Sequence, residues 1–151
     1  MNLRSLNSAC QQKLYKILDS RSAEGYIPQS EFIGWFFMKD FIKVMKALSD
    51  PNRVKIVKML QNKMMCVCEI QEALQISQSS ASKHLRILED AGLVDYKKDG
   101  LWVNYYLTDG RNSPYSASLM GNLRHWLEDE PEIADLVKRL PNICREKICR
   151  K

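Results

Sequence analysis

Between Cys66 and Leu107 the apolar pattern changes period twice, and that succession leaves few folds open. Ile70, Ala73 and Leu74 give Cys68–Leu74 a helical face. Ser77 then stands where a helix cap is needed, and Ala81, Leu85 and Leu88 follow at i, i+4 and i+7. Gly92 closes this second helix as a C-cap. Beyond it, Leu93–Lys98 and Leu101–Leu107 read as strands joined at Asp99-Gly100, one of the strongest short-range hairpin signals. Val103, Tyr105 and Leu107 alternate with Trp102, Asn104 and Tyr106, so one row faces the helices. Two helices meeting at a tight turn and followed by a hairpin make a winged helix-turn-helix. The expected class is mostly α with a small β-hairpin wing.

The flanks extend that unit. Phe41, Val44, Met45 and Leu48 form one face of a helix ending near Ser49, and Asp50-Pro51 starts the next. That helix is expected to carry Val54, Val57 and Leu60 inward and Lys55 and Lys58 outward, and Met64–Val67 reads as a short extended segment. After a loop over 109–114, a helix of roughly four turns is expected to bear Leu119, Leu123, Trp126 and Leu127. Ile133, Leu136, Val137 and Leu140 suggest one more short helix. Asn142–Lys151, with Cys144 and Cys149 among basic residues, reads as a mobile tail. At the other end, Leu3, Leu6, Cys10, Leu14 and Ile17 recur at helical spacing before a loop over 20–28. The character of the chain changes sharply at Lys39, so Met38 is a candidate for the true start of translation. The division expected is an extension over 1–38, a DNA-binding and dimerisation domain over 39–130, and a short helix with a cysteine-containing tail over 131–151.

The net charge of +5 suits a polyanionic partner. Five cysteines are an odd count, which points to free thiols or metal ligands instead of a disulfide framework. No apolar run spans a bilayer: Phe32–Met38 is cut short by Lys39 and Asp40. With no signal-peptide pattern at the N-terminus either, a cytoplasmic location is expected, with no membrane partner.

Ala47-Leu48-Ser49-Asp50-Pro51-Asn52-Arg53, Cys66-Val67-Cys68-Glu69-Ile70, Ser82-Lys83-His84-Leu85 and the hairpin ending Tyr105-Tyr106-Leu107 together resemble the ArsR/SmtB family of metal-responsive repressors, and most of all its arsenic-responsive branch. The resemblance covers about residues 39 to 127. It implies a homodimer on an inverted repeat of double-stranded operator DNA, released when arsenite or antimonite, As(III) or Sb(III), binds cysteine thiolates. It implies no cofactor for DNA binding. The chain departs from the arsenic-type pattern at Gln71, where a third cysteine often stands. His125-x-x-Glu128 lacks the upstream pair that the family's zinc site requires.

Cys66 and Cys68 are the candidate ligands, because soft thiolates select thiophilic centres. Residues two apart on an intact helix point ~200° away from each other, so gripping one atom requires that turn to distort. Cys144 or Cys149 is the candidate third sulfur. For DNA, the candidates are Gln78, Ser79, Ser80, Ser82 and Lys83 toward bases, Arg86 toward phosphate, and Lys97 and Lys98 on the wing. Phe41, Val44, Met45, Leu119, Leu123, Trp126 and Leu127 are the candidate dimer seam. Cadmium or lead sensing, and a redox or persulfide switch using the same thiols, remain open on these residues. An enzyme is disfavoured, because no phosphate-binding glycine loop, acidic pair or basic cluster accompanies the cysteines.

Overall fold

Asp50 and Arg53 join the first two helices of the structure, a computed structural model that describes residues 29–110 and 113–148, with side chains from Met38 onward. The helix expected over Leu3–Ile17, the loop after it, Cys10 and Cys149 lie outside the described residues. Helix α1 (Gln29–Leu48) runs unbroken through Met38 and Lys39, and α2 (Pro51–Leu60) follows after two residues. Asp50 Oδ1 accepts from the Arg53 backbone N–H at 3.1 Å, and Pro51 at the first position forfeits no bond. The Arg53 guanidinium turns back and donates to the carbonyls of Ala47 and Lys46, in the last turn of α1, where intrahelical donors run out. One short motif thus caps the start of one helix and the end of another.

Helix α2 lies at the centre of the core. Ile56, Val57, Lys58, Met59 and Leu60 are all buried, and Val44, Ile70, Leu85, Leu88, Leu93 and Leu136 belong to the same apolar cluster. Lys55 is on the outside and pairs with Glu132 at 2.8 Å, whereas Lys58, expected outside, is only 4% exposed. Its ammonium donates to the carbonyls of Leu123 at 3.0 Å and Trp126 at 2.9 Å, with Arg124 at 3.5 Å. The second half of the helix has no wet face, and a buried charge persists only where hydrogen-bond acceptors surround it.

Those acceptors sit where α5 (Pro114–Leu123) ends. The expected four turns stop at Leu123, and the chain reverses through residues 124–127, with Leu127 at φ 62°. Trp126 and Leu127 therefore leave the helical stripe and stand 51% and 43% exposed. Val44 and Leu123, expected on the dimer seam, are both buried in this chain's own core. Met45 and Leu119 are half-buried, Phe41 is exposed, and the Phe41 ring meets Tyr115 edge-on at 5.3 Å.

The helix-turn-helix is α3 (Val67–Leu74) and α4 (Gln78–Asp90). Between them Gln75 takes a left-handed conformation at φ 54°, and the Ile76 N–H returns to the Gln71 carbonyl. Ser77 Oγ accepts from the Ser80 N–H at 3.2 Å and so caps α4. Past its end Gly92 at φ 71° lets the Leu93 N–H reach the Leu88 carbonyl, a Schellman closure that a side chain at Gly92 would strain.

The sheet is antiparallel, in the order β1 (Met65–Cys66), β3 (Trp102–Leu107), β2 (Val94–Asp99). Asp99 faces Trp102 and Val94 faces Leu107. The two-residue turn is thus Gly100-Leu101, one position later than expected, because Asp99 still pairs. Gly100 has φ 60°, which a primed turn requires at its first central residue.

Residues 131–148 pack against the rest instead of trailing free as expected for 142–151. Helix α6 (Pro131–Arg139) leads through a 3₁₀ turn (Leu140–Asn142) into α7 (Arg145–Ile148). Leu136, Leu140 and Ile143 are buried, and α6 lies on α2 while α7 lies on α3. Among the described residues no helix is long and apolar enough to cross a membrane.

Replacing Lys58 by Met keeps most of the volume but strips three carbonyls of their donor. Urea unfolding should show a loss of about 1–3 kcal/mol at unchanged m-value. A loss below about 0.5 kcal/mol, the level of an ordinary surface change, would mean that the lysine does not hold the end of α5.

Candidate functional site

Cys66 ends β1 and is at the same time the N-cap of α3, with extended backbone at φ −82° and ψ 167°. Cys68 lies in the first turn of the helix. The two thiols therefore straddle a strand-to-helix junction, as the extended reading of Met64–Val67 and the helical reading from Cys68 onward expected, with the helix starting one residue earlier, at Val67. The junction is pinned from both sides. Cys66 pairs with Asn104 of the wing strand β3, while its N–H donates to Glu69 Oε2 at 2.8 Å. The Glu69 backbone N–H faces the Cys66 sulfur in return, giving a capping box with cysteine in the place of serine.

Cys66 is 3% exposed, and Cys68 is half-buried. Burial pushes the Cys66 thiol above its ordinary value; the Glu69 N–H works against this, and the Glu69 carboxylate adds to it. Glu69 is itself buried, and its Oε1 is 3.4 Å from Lys63 Nζ. Lys63 also donates to the Ile143 carbonyl. Cys144 is half-buried and lines an open groove of about 650 Å³ together with Lys63, Glu69, Lys97, Lys98 and Arg145. Cys144 is thus brought beside the thiol-bearing helix, but among the described residues no three His, Cys, Asp or Glu side chains converge on one metal position. The donor chemistry at Cys66 and Cys68 fits a thiophilic centre; a third sulfur requires movement of the chain or a second copy.

The second helix of the motif presents its polar face outward. Gln78, Ser79, Ser82, Lys83 and Arg86 are exposed, and Ser80 is half-exposed. Ser77 Oγ lies 3.0 Å from Ser79 Oγ and 2.9 Å from Ser80 Oγ, so these hydroxyls stand together at the helix N-terminus. His84 faces inward, with Nδ1 3.7 Å from Asp50 Oδ1, and so faces the cap of α2. Lys97 and Lys98 are exposed on β2.

Sequence reasoning missed Glu69, Lys63 and Arg145. Glu69 carried a local signal, an acidic residue three places after a helix cap, but Cys is an unusual cap residue and hid it. Lys63 and Arg145 carried none, because Ile143, Asp99 and Trp102, which they reach, lie far along the chain.

Residues 50–96 match the family model described as bacterial regulatory protein, arsR family. The chain is 44% identical over 71 residues to a cadmium resistance transcriptional regulatory protein CadC homolog of Staphylococcus aureus, over 46% of this chain and 59% of that protein. It is 36% identical over 73 residues to an arsenical resistance operon repressor of Bacillus subtilis, over 48% of this chain and 70% of that one. In fold it is similar to a homodimeric winged helix-turn-helix DNA-binding domain from Mycobacterium bovis, at TM-score 0.53 and 20% identity, over 72% of this chain and 94% of that one.

A buried, protonated thiol alkylates slowly, because the thiolate is the nucleophile. Iodoacetamide at neutral pH should modify Cys144 at least about tenfold faster than Cys66, as read by peptide mass spectrometry. The Cys66 rate should still be climbing at pH 9.0, the ordinary value above which its pKa is raised. Equal rates at the two residues would contradict the closed junction.

Proposed function

This chain belongs to the ArsR family of bacterial regulatory proteins, a family of transcriptional repressors and not of enzymes, and we propose that it represses an arsenic or antimony resistance operon. In this reading a homodimer holds an inverted repeat of operator DNA and lets go when arsenite or antimonite occupies Cys66 and Cys68. Helix α4 enters the major groove. Gln78, Ser79, Ser80, Ser82 and Lys83 address bases, Arg86 addresses phosphate, and the wing lysines Lys97 and Lys98 address the adjoining backbone. Phe41, Met45, Leu119, Trp126 and Leu127 supply the seam between one protomer and its partner. Residues 39–130 form the regulator proper, 1–38 an extension, and Cys144 or Cys149 the source of a third sulfur.

The observation that carries this reading is the double membership of Cys66. Drawing its sulfur toward Cys68 acts on β1, which is paired to the wing, and on the first turn of α3, which packs on α4. Both DNA-contacting elements feel one displacement. A ligand shifts the equilibrium only by its preference for the displaced form, and the capping bond from Cys66 to Glu69 is what the free protein keeps and the bound form gives up.

Two sulfurs without a gathered third also suit cadmium, lead or oxidation to a disulfide or persulfide, and the CadC homolog keeps cadmium in view. With a duplex selected from a randomised pool as probe, Cys66→Ser and Cys68→Ser should bind as the wild type does and lose the arsenite-induced release, which for such couplings is about 5- to 150-fold. A variant released normally by arsenite removes its cysteine from the site. Release by cadmium or peroxide but not by arsenite selects the second reading.

A further inference from the structure

The thiol junction and the wing tip are both held by one segment that lies beyond the residues matching the family model. At the junction, Glu69 accepts from the Cys66 N–H and pairs with Lys63, and Lys63 donates to the carbonyl of Ile143. Two residues later Arg145 places its guanidinium 3.7 Å from Asp99 at the end of β2 and 5.7 Å from the centre of the Trp102 ring on β3. Asp99 and Trp102 are paired with each other across the hairpin, so Arg145 grips the wing at its tip, next to Lys98. Residues 143–145 thus connect the cap of α3 to the far end of the hairpin without passing through the sheet.

We propose that this C-terminal segment is a brace in which Lys63 and Arg145 act as positioning residues, passing a disturbance of the Cys66 cap to the wing. When Glu69 loses the Cys66 N–H, its carboxylate is free to turn and Lys63 to part from Ile143, and Arg145 then shifts on Asp99 and Trp102. The wing lysines leave the register in which they meet DNA. The guanidinium also holds Glu146 at 3.3 Å, and it is the Trp102 ring contact together with the exposed pair to Asp99 that ties it to the wing. This brace rests on the reading of Cys66 and Cys68 as the inducer site, and two measurements separate the failure of one from the failure of the other.

Arg145→Ala and Asp99→Asn, made in the full chain, should each cut the arsenite-induced loss of affinity for the selected duplex at least threefold relative to wild type. Arg145→Lys, which keeps the charge, should restore part of it. Arsenite should still protect the same thiols from alkylation in all three. Without arsenite, Arg145→Ala and Lys63→Met should each speed hydrogen exchange of the Cys66 N–H at least about tenfold while exchange in α2 stays unchanged. The brace is overturned if exchange at Cys66 is unaltered, or if affinity falls equally with and without arsenite. Arsenite that protects neither thiol in the wild type defeats the inducer reading instead, and the exchange measurement then decides the brace alone.

Discussion

The enclosed C-terminal half of α2 governs this architecture. Five consecutive residues, Ile56–Leu60, are buried, so this half of the helix leaves no face for charge. Lys58 is the consequence. Its ammonium meets the carbonyls at the end of α5, which lack donors of their own. The charge and the orphaned acceptors resolve each other, and the chain turns there because the acceptors must converge on one nitrogen. From that turn α6 runs back onto α2, and the C-terminal segment reaches the wing.

A second constraint operates at the thiols. Cys66 belongs to a sheet and to a helix at once, through its pairing with Asn104 and its bond to Glu69. Neither bond is strong by itself, each contributing about 0.5–1.5 kcal/mol, or up to about 3 kcal/mol where the acceptor is charged. Their importance is geometric: one residue fixes how α3 leaves the sheet, and α3 fixes how α4 is presented.

Reading outward from the sequence succeeded wherever a structure is closed by neighbours. Asp50 caps α2 from three residues away, Ser77 caps α4 in the same way, and Gly92 closes α4 with a local bond. The hairpin was found but misplaced by one residue, because Asp99 is acceptable either in a turn or as the last paired position, and only the register against Trp102 decides. On the exposed face of α4, Gln78, Ser82, Lys83 and Arg86 were legible from their offset to Ala81, Leu85 and Leu88. Lys58 was misread because periodicity places charges outward by default; nothing within a few residues of it announces a partner 65 positions away.

What the sequence alone determined, then, is the order of helices, turn and hairpin and the presence of two thiols at the start of the first motif helix. These follow from dihedral preferences, caps and apolar spacing, all of which act over one or two turns. Tertiary structure alone decided that Cys66 is shared between strand and helix, that α5 stops at Leu123, and that Arg145 rests on the wing. Those outcomes are contacts between distant segments, and they are set by which surfaces remain to be covered once the local elements have formed.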